Sequence, residues 1–153
     1  MVAVNTQNDY YMDGGSQVDN YIRNPVYLEK GLLLSSPTLA LGYTTGAGAA
    51  VTQITNRATA VTINAVCGQI TTDNTSLAAE ASAKFTVNNS VVAEGDIIVL
   101  SFRDAVALNT DVVVTDTAAG TFELTVINNN VASGTAETGA IVINFVVIKA
   151  VAA

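Results

Sequence analysis

The chain has few residue types with which to do chemistry: its 153 residues include no histidine, no tryptophan and one cysteine, Cys67. Without an imidazole, no serine or cysteine nucleophile can be paired with the usual general base, and a serine-lysine arrangement has no supporting signature around Lys84 or Lys149. Zinc sites of the common kinds are equally out of reach. Two pairs of acids, Glu94 with Asp96 and Asp104 with Asp111, could supply the two carboxylates of a glycoside hydrolase. They fall in loop-like positions with no aromatic platform for a sugar beside them, so loop solubility is the reading adopted. Asp9, Asp13 and Asp19 flank Gly14-Gly15 but lack the alternating oxygen ligands and the later bidentate glutamate of a calcium loop. They are read as solvated acids. The residues thus assign no catalytic, cofactor-binding or metal-binding role, and a non-enzymatic protein is expected.

Three further motifs are read structurally. The glycine-rich stretch Gly42-Tyr43-Thr44-Thr45-Gly46-Ala47-Gly48-Ala49-Ala50-Val51 has neither the lysine and following hydroxyl of a phosphate loop nor the helix after it that a dinucleotide fingerprint requires. It reads as a flexible joint leading into a first strand. Asn74-Thr75-Ser76 and Asn88-Asn89-Ser90 match the glycosylation pattern. The first 19 residues lack the positive flank and apolar stretch of an export signal, so these matches are read as coincidence.

Charge narrows the choice of partners. The net charge of −7 is opposed only by Arg23, Lys30, Arg57, Lys84, Arg103 and Lys149, which are scattered. Nucleic-acid binding needs clustered cations to replace phosphate counterions, so no nucleic acid is expected. No segment holds about 18 uninterrupted apolar residues, and Asn144 and Lys149 interrupt the apolar run 140–153, so no membrane span is expected either. A lone cysteine cannot form an intrachain disulfide, and Cys67 is expected to be a buried small hydrophobe.

These residues need a fold to carry them. With 50% apolar and 12% charged residues the composition is far from that of a disordered chain, and this length is enough for one domain burying about two thirds of its unfolded surface. Composition changes near Leu41. Residues 1–41 hold both prolines, Pro25 and Pro37, show no sustained period, and read as an extended N-terminal arm. Yet Tyr10, Tyr11, Tyr21, Ile22, Val26, Tyr27, Leu28, Leu32 and Leu33 are too many large apolar groups to leave in water, each contributing about 1.5 to 3 kcal/mol if buried. With no period to let them form a core of their own, they are the candidate partner-binding residues, facing a neighbouring subunit or a larger assembly.

Residues 42–153 read instead as an all-β domain of eight short β-branched runs, at 51–55, 60–66, 68–72, 81–88, 96–103, 112–116, 120–128 and 140–151, separated by turn residues. Side chains alternate across a strand. Val61, Ile63 and Ala65 therefore oppose Thr62 and Asn64, and Phe122, Leu124 and Val126 oppose Glu123 and Thr125, which gives those strands one wet face. The runs 96–103 and 140–151 are apolar on both faces, with Ile97 and Val99 behind Ile98 and Leu100, and Val142, Val146 and Ile148 behind Ile143, Phe145 and Val147. A strand apolar on both sides must be covered on both sides. With no helix to do it, the cover has to be another subunit or the arm. Asn144, amid those apolar neighbours, reads as a satisfied core or interface amide. An antiparallel β-sandwich of jelly-roll type is expected, with a seven-stranded immunoglobulin-like sandwich as its close competitor.

The succession Gly42-Tyr43-Thr44-Thr45-Gly46-Ala47-Gly48, Val51-Thr52-Gln53, Val61-Thr62-Ile63-Asn64, Cys67-Gly68-Gln69-Ile70-Thr71, Lys84-Phe85-Thr86-Val87-Asn88-Asn89-Ser90 and the closing 141–153 resembles a module of tailed-bacteriophage structural proteins, cyanophages included. The resemblance runs from Gly42 to the end and implies a sandwich that trimerises on the virion, as a capsid decoration or cement protein or as part of a fibre. Because the module makes up nearly the whole chain, the expectation is a head-decorating homotrimer. It would be made in the host cytoplasm and bind the major capsid protein on the exterior of the shell, where its negative charge keeps it clear of packaged DNA. The alternative from the same resemblance is a fibre or carbohydrate-binding host-recognition module. Against it, the core offers only Tyr43, Phe85, Phe102, Phe122 and Phe145 as aromatics, and most of these fall in apolar strand phases.

Overall fold

A computed structural model of the chain describes residues 41–43, 45–104, 109–132 and 134–150, which form an all-β sandwich without helices. The expected arm, residues 1–41, lies outside the described residues except for Leu41. The eight strands are β1 (Gly48–Thr52), β2 (Val61–Thr62), β3 (Cys67–Thr71), β4 (Ser82–Asn88), β5 (Ile97–Phe102), β6 (Thr110–Ala118), β7 (Thr121–Asn128) and β8 (Val142–Ile148). They answer the eight runs one for one. The first begins three residues early, inside the stretch read as a joint, and the second is cut to two paired residues.

The strands divide into two four-stranded sheets, β1-β3-β8-β5 and β2-β4-β7-β6. The sandwich is as expected; its sheets, however, are mixed rather than purely antiparallel. β1 pairs parallel with β3 and β2 parallel with β4, while the other pairings are antiparallel. The cause is the path of the chain, which alternates between the sheets from β1 to β6. A strand returning to its sheet after visiting the other has been reversed twice and runs parallel to its predecessor there. In each sheet three strands therefore share a direction, and the fourth, β8 or β7, is inserted against them. The β6–β7 hairpin breaks the alternation at Ala119-Gly120, where Gly120 takes a φ of +80° that a side chain disfavours.

Between the sheets lies a core of Ile70, Phe85, Val87, Phe122, Leu124, Val126, Ile143, Phe145 and Val147, each at most 2% exposed. The alternation read from the sequence holds. Val61, Ile63 and Ala65 are buried while Thr62 and Asn64 are exposed, and every second residue of β7 points inward. The sheets meet at Phe122 and Phe145, whose ring centroids lie 5.5 Å apart at a 49° tilt. Such tilted pairs add about 0.5 to 1.5 kcal/mol beyond the area they bury.

Gly68 lets this ring sit where it does. It lies between Ala49 and Phe145 in the ladder, and a Cβ built on it would stand 2.4 Å from the Ala49 carbonyl oxygen, 2.9 Å from Ile63 and 3.1 Å from the Phe145 ring. Glycine is required here by close approach of backbone and ring, and β1 can pair only because nothing projects from this position.

Candidate interaction face

The two outer faces of the sandwich differ. On the β2-β4-β7-β6 sheet the outward residues include Ser82, Lys84, Thr86, Glu123, Thr125, Asp111, Thr115 and Asp116, with Val113 and Ile127 the apolar exceptions. Lys84 and Glu123 pair at 2.8 Å, and that contact raises the Lys84 pKa. This face is wet. The edge strand β6 also carries a bulge between Val114 and Asp116, a device that discourages further pairing.

The outer face of the β1-β3-β8-β5 sheet is organised in rows across the strands. Gly48, Cys67, Val146 and Val99 share one row; Ala50, Gln69, Asn144 and Ser101 the next; Thr52, Thr71 and Val142 a third, while Ile148 faces Ile97 beyond the first. Ile97, Val99 and Ile148 are 55%, 48% and 49% exposed. One half of the face is thus apolar and the other a strip of amides and hydroxyls, bordered by Arg103, which donates to Gln69 Oε1 at 3.2 Å. No carboxylate points from it. The expectation that β5 and β8 are apolar on both sides is met in residue phase, and within the described residues nothing covers the second side.

Three sequence readings need correction. Cys67 is not a buried small hydrophobe; it is half-buried on this outer face, because Gly68 and Ile70 take the inward phase of β3. Of the two readings of Asn144, core amide or interface amide, the core one fails, since its side chain is partly exposed in the polar strip and makes no hydrogen bond within the described residues. Asp96, read as a loop-solubilising acid, is 5% exposed. Its carboxylate accepts from Lys149 Nζ at 2.5 Å and from the backbone amides of Ala93 and Ala150 at 2.8 and 3.2 Å. The lysine hydrogen bond, then the Ala93 amide, hold its pKa below the usual carboxylate value. Glu94 and Asp104 are exposed outside the strands, as loop solubility requires, whereas Asp111, also exposed, stands on strand β6 and not in a loop. No carboxylate pair of a hydrolase is assembled from Glu94 and Asp96, because one points to water and the other is locked inside an ion pair.

A polar cluster that sequence reading missed lies at one end of the sandwich. Arg57, in a segment read only as a turn, is 4% exposed. Its Nε donates to the Thr75 carbonyl at 2.5 Å, Nη1 to Thr72 Oγ1 at 3.0 Å and Nη2 to the Gly139 carbonyl at 2.6 Å. Burial lowers its pKa against the opposing charges of Glu137 and Asp73. Gln53 Nε2 binds the Arg57 and Thr59 carbonyls, and its Oε1 accepts from the Asp73 amide. Thr72 Oγ1 also accepts from the Ile141 amide. A shallow recess of about 240 Å³ between Gln53, Thr72, Asp73 and Ala140 opens beside this cluster. No buried side-chain polar atom among the described residues lacks a partner, so the cluster clamps loops together and offers no unspent donor to a ligand.

The expected partner-binding residues Tyr10, Tyr11, Tyr21, Ile22, Val26, Tyr27, Leu28, Leu32 and Leu33, together with Asp9, Asp13 and Asp19, lie outside the described residues. Among the described residues no three histidine, cysteine or acidic side chains come together as a metal site, and no helix is long and apolar enough to cross a membrane. Comparison with family models, with curated proteins and with solved structures finds no match to this chain.

Proposed function

We propose that this protein is a structural component of a tailed-phage particle, a decoration or cement protein that binds the outer surface of the head as a trimer and stabilises the shell. The observation that carries the reading is the asymmetry of the sandwich, with one outer face polar and charged and the other half apolar and free of carboxylates. A domain whose buried polar groups are spent on its own loops, and whose β1-β3-β8-β5 outer face is left half apolar and uncovered within the described residues, is suited to assembly. The resemblance of residues 42–153 to a module of phage structural proteins supports the same reading, and the acidic charge suits an outer position away from packaged DNA.

In this mechanism the protein does no covalent chemistry. It adds contact area where capsid subunits meet, so that outward strain from packaged DNA must break decoration contacts as well as shell contacts. The test is to add purified protein to undecorated heads of the phage that encodes it, and to measure saturable co-sedimentation together with resistance of the filled heads to heat or chelation. Expected are occupancy that saturates at a fixed ratio to the major capsid protein and later rupture of decorated heads. Density for the protein at fibre tips, with none on the head, would instead establish the host-recognition alternative.

A further inference from the structure

We infer that the outer face of the β1-β3-β8-β5 sheet is the surface through which copies of this chain pack around a common symmetry axis. The inference deepens the trimer of the proposed function and rests on that reading's claim that copies associate.

Two observations favour a second copy as the occupant. The first is electrostatic. Copies of net charge −7 repel one another, and least so through a face without carboxylates. The opposite sheet presents Asp111, Asp116 and Glu123 outward with Lys84 against them. Two such faces would bring three carboxylates against three, with one lysine on each to oppose them.

The second is self-compatibility. Around any rotational axis, groups near the axis meet copies of themselves, so they must both donate and accept, or be apolar. Gln69, Asn144 and Ser101 are amides and a hydroxyl of that kind, aligned in one row, and Asn144 makes no hydrogen bond within the described residues. In the next row Val99 and Val146 offer apolar surface, continued by Ile97 and Ile148. A basic partner would find no charge on this face to pair with its own, and an anionic one only Arg103 at the border.

The size of the face sets the strength. Four strands about 4.8 Å apart, over some six residues of about 3.3 Å, present roughly 400 Å² in plan. That is about half of the ~800 Å² each partner contributes to a standard interface, so a reversible association is expected from this face.

The experiment compares the full-length protein with Val99→Lys, Val146→Lys and, on the opposite face, Val113→Lys, by sedimentation over a concentration series with circular dichroism as the check on folding. Val99 and Val113 are 48% and 39% exposed in the single chain, so lysine there leaves the fold intact. Expected are a trimer for the parent chain and for Val113→Lys, and a dissociation constant raised at least about tenfold for Val99→Lys and Val146→Lys with unchanged dichroism. Should Val146→Lys lose its fold, Ile97→Lys replaces it. A parent chain that is monomeric at about 100 µM overturns the inference. So does assembly that survives both β-face lysines, including the case in which it disappears only when residues 1–41 are removed, which would make the arm the occupant. Assembly that fails in this way while the protein still saturates undecorated heads would leave the capsid reading standing; normal assembly without head binding would do the reverse.

Discussion

Lys149 reaches back 53 positions to place its ammonium 2.5 Å from the carboxylate of Asp96, tying the end of β8 to the start of β5. The carboxylate has no exposed area, although the lysine is 57% exposed, so the pair is buried on its acidic side alone. Because β8 lies at the centre of its sheet, this contact holds the C-terminal strand in register with the edge strand it must support.

The pH dependence follows from the depressed Asp96 pKa. A group whose folded pKa is lowered contributes stability that is present above its unfolded value, about 3.9, and is lost as pH falls through the folded value. The melting temperature of the parent chain should therefore drop below about pH 4. Asp96→Asn should melt lower at pH 7 and show a flatter decline in acid. Equal acid slopes for the two proteins would show that other carboxylates set the acid limit.

Arg57→Met keeps much of the volume of the side chain but strands the Thr75 and Gly139 carbonyls, which the guanidinium now satisfies. Leaving buried acceptors unsatisfied in this way costs about 1 to 3 kcal/mol for each. Chemical denaturation should report a loss of that size with little change in the denaturant slope.

Gly68→Ala places a methyl group where the Ala49 carbonyl oxygen stands 2.4 Å away. Since the obstacle is backbone, β1 must move off β3, and a destabilisation of about 1 to 3 kcal/mol is expected. Hydrogen exchange should show the loss concentrated in residues 48–52, with the β7 amides protected as before. Uniform loss of protection would mean that β1 and the core open together.

Removal of divalent cations with a chelator should leave the melting temperature of the isolated protein unchanged, since its described acids are exposed, hydrogen-bonded or ion-paired instead of grouped. A drop of several degrees would revive Asp9, Asp13 and Asp19 as ligands.

For residues 1–41 the expectation remains that they form the principal attachment element. A chain beginning at Gly42 should keep the dichroism of the sandwich while losing most of its affinity for undecorated heads. Tyr21→Ala, Tyr27→Ala and Leu28→Ala should each weaken binding by about 1 to 2 kcal/mol or more, as buried aromatic and large apolar anchors do. Full decoration by the truncated chain would assign the contact to the sandwich. Multiple arms per assembly would act at high effective concentration, so the loss should be steeper in oligomers than in monomers.

Much of this architecture was legible in the residues because alternation is a local property. Phe122, Leu124 and Val126 face inward for the same reason that Glu123 and Thr125 do not, and no distant partner is needed to see it. The surplus of apolar residues on the outer phases of β5 and β8 could be read in the same way. Arg57 could not be, because an arginine beside asparagine in a turn looks like any solvated loop residue. Its burial comes from carbonyls 18 and 82 positions away.

By itself the sequence determined an all-β domain of eight strands, the inward and outward phases of those strands, and the scarcity of side chains able to do chemistry. Only the tertiary structure decided which strands are neighbours. Because the chain alternates between sheets before making its β6–β7 hairpin, the edge pairs β1-β3 and β2-β4 are parallel, and no local pattern encodes the direction of a partner. The same long-range closure put Cys67 on an open face, buried Asp96 beneath Lys149, and required a glycine between Ala49 and Phe145. Each of these depends on groups far apart in the chain arriving at one place, where space, charge and hydrogen bonding must all be satisfied at once.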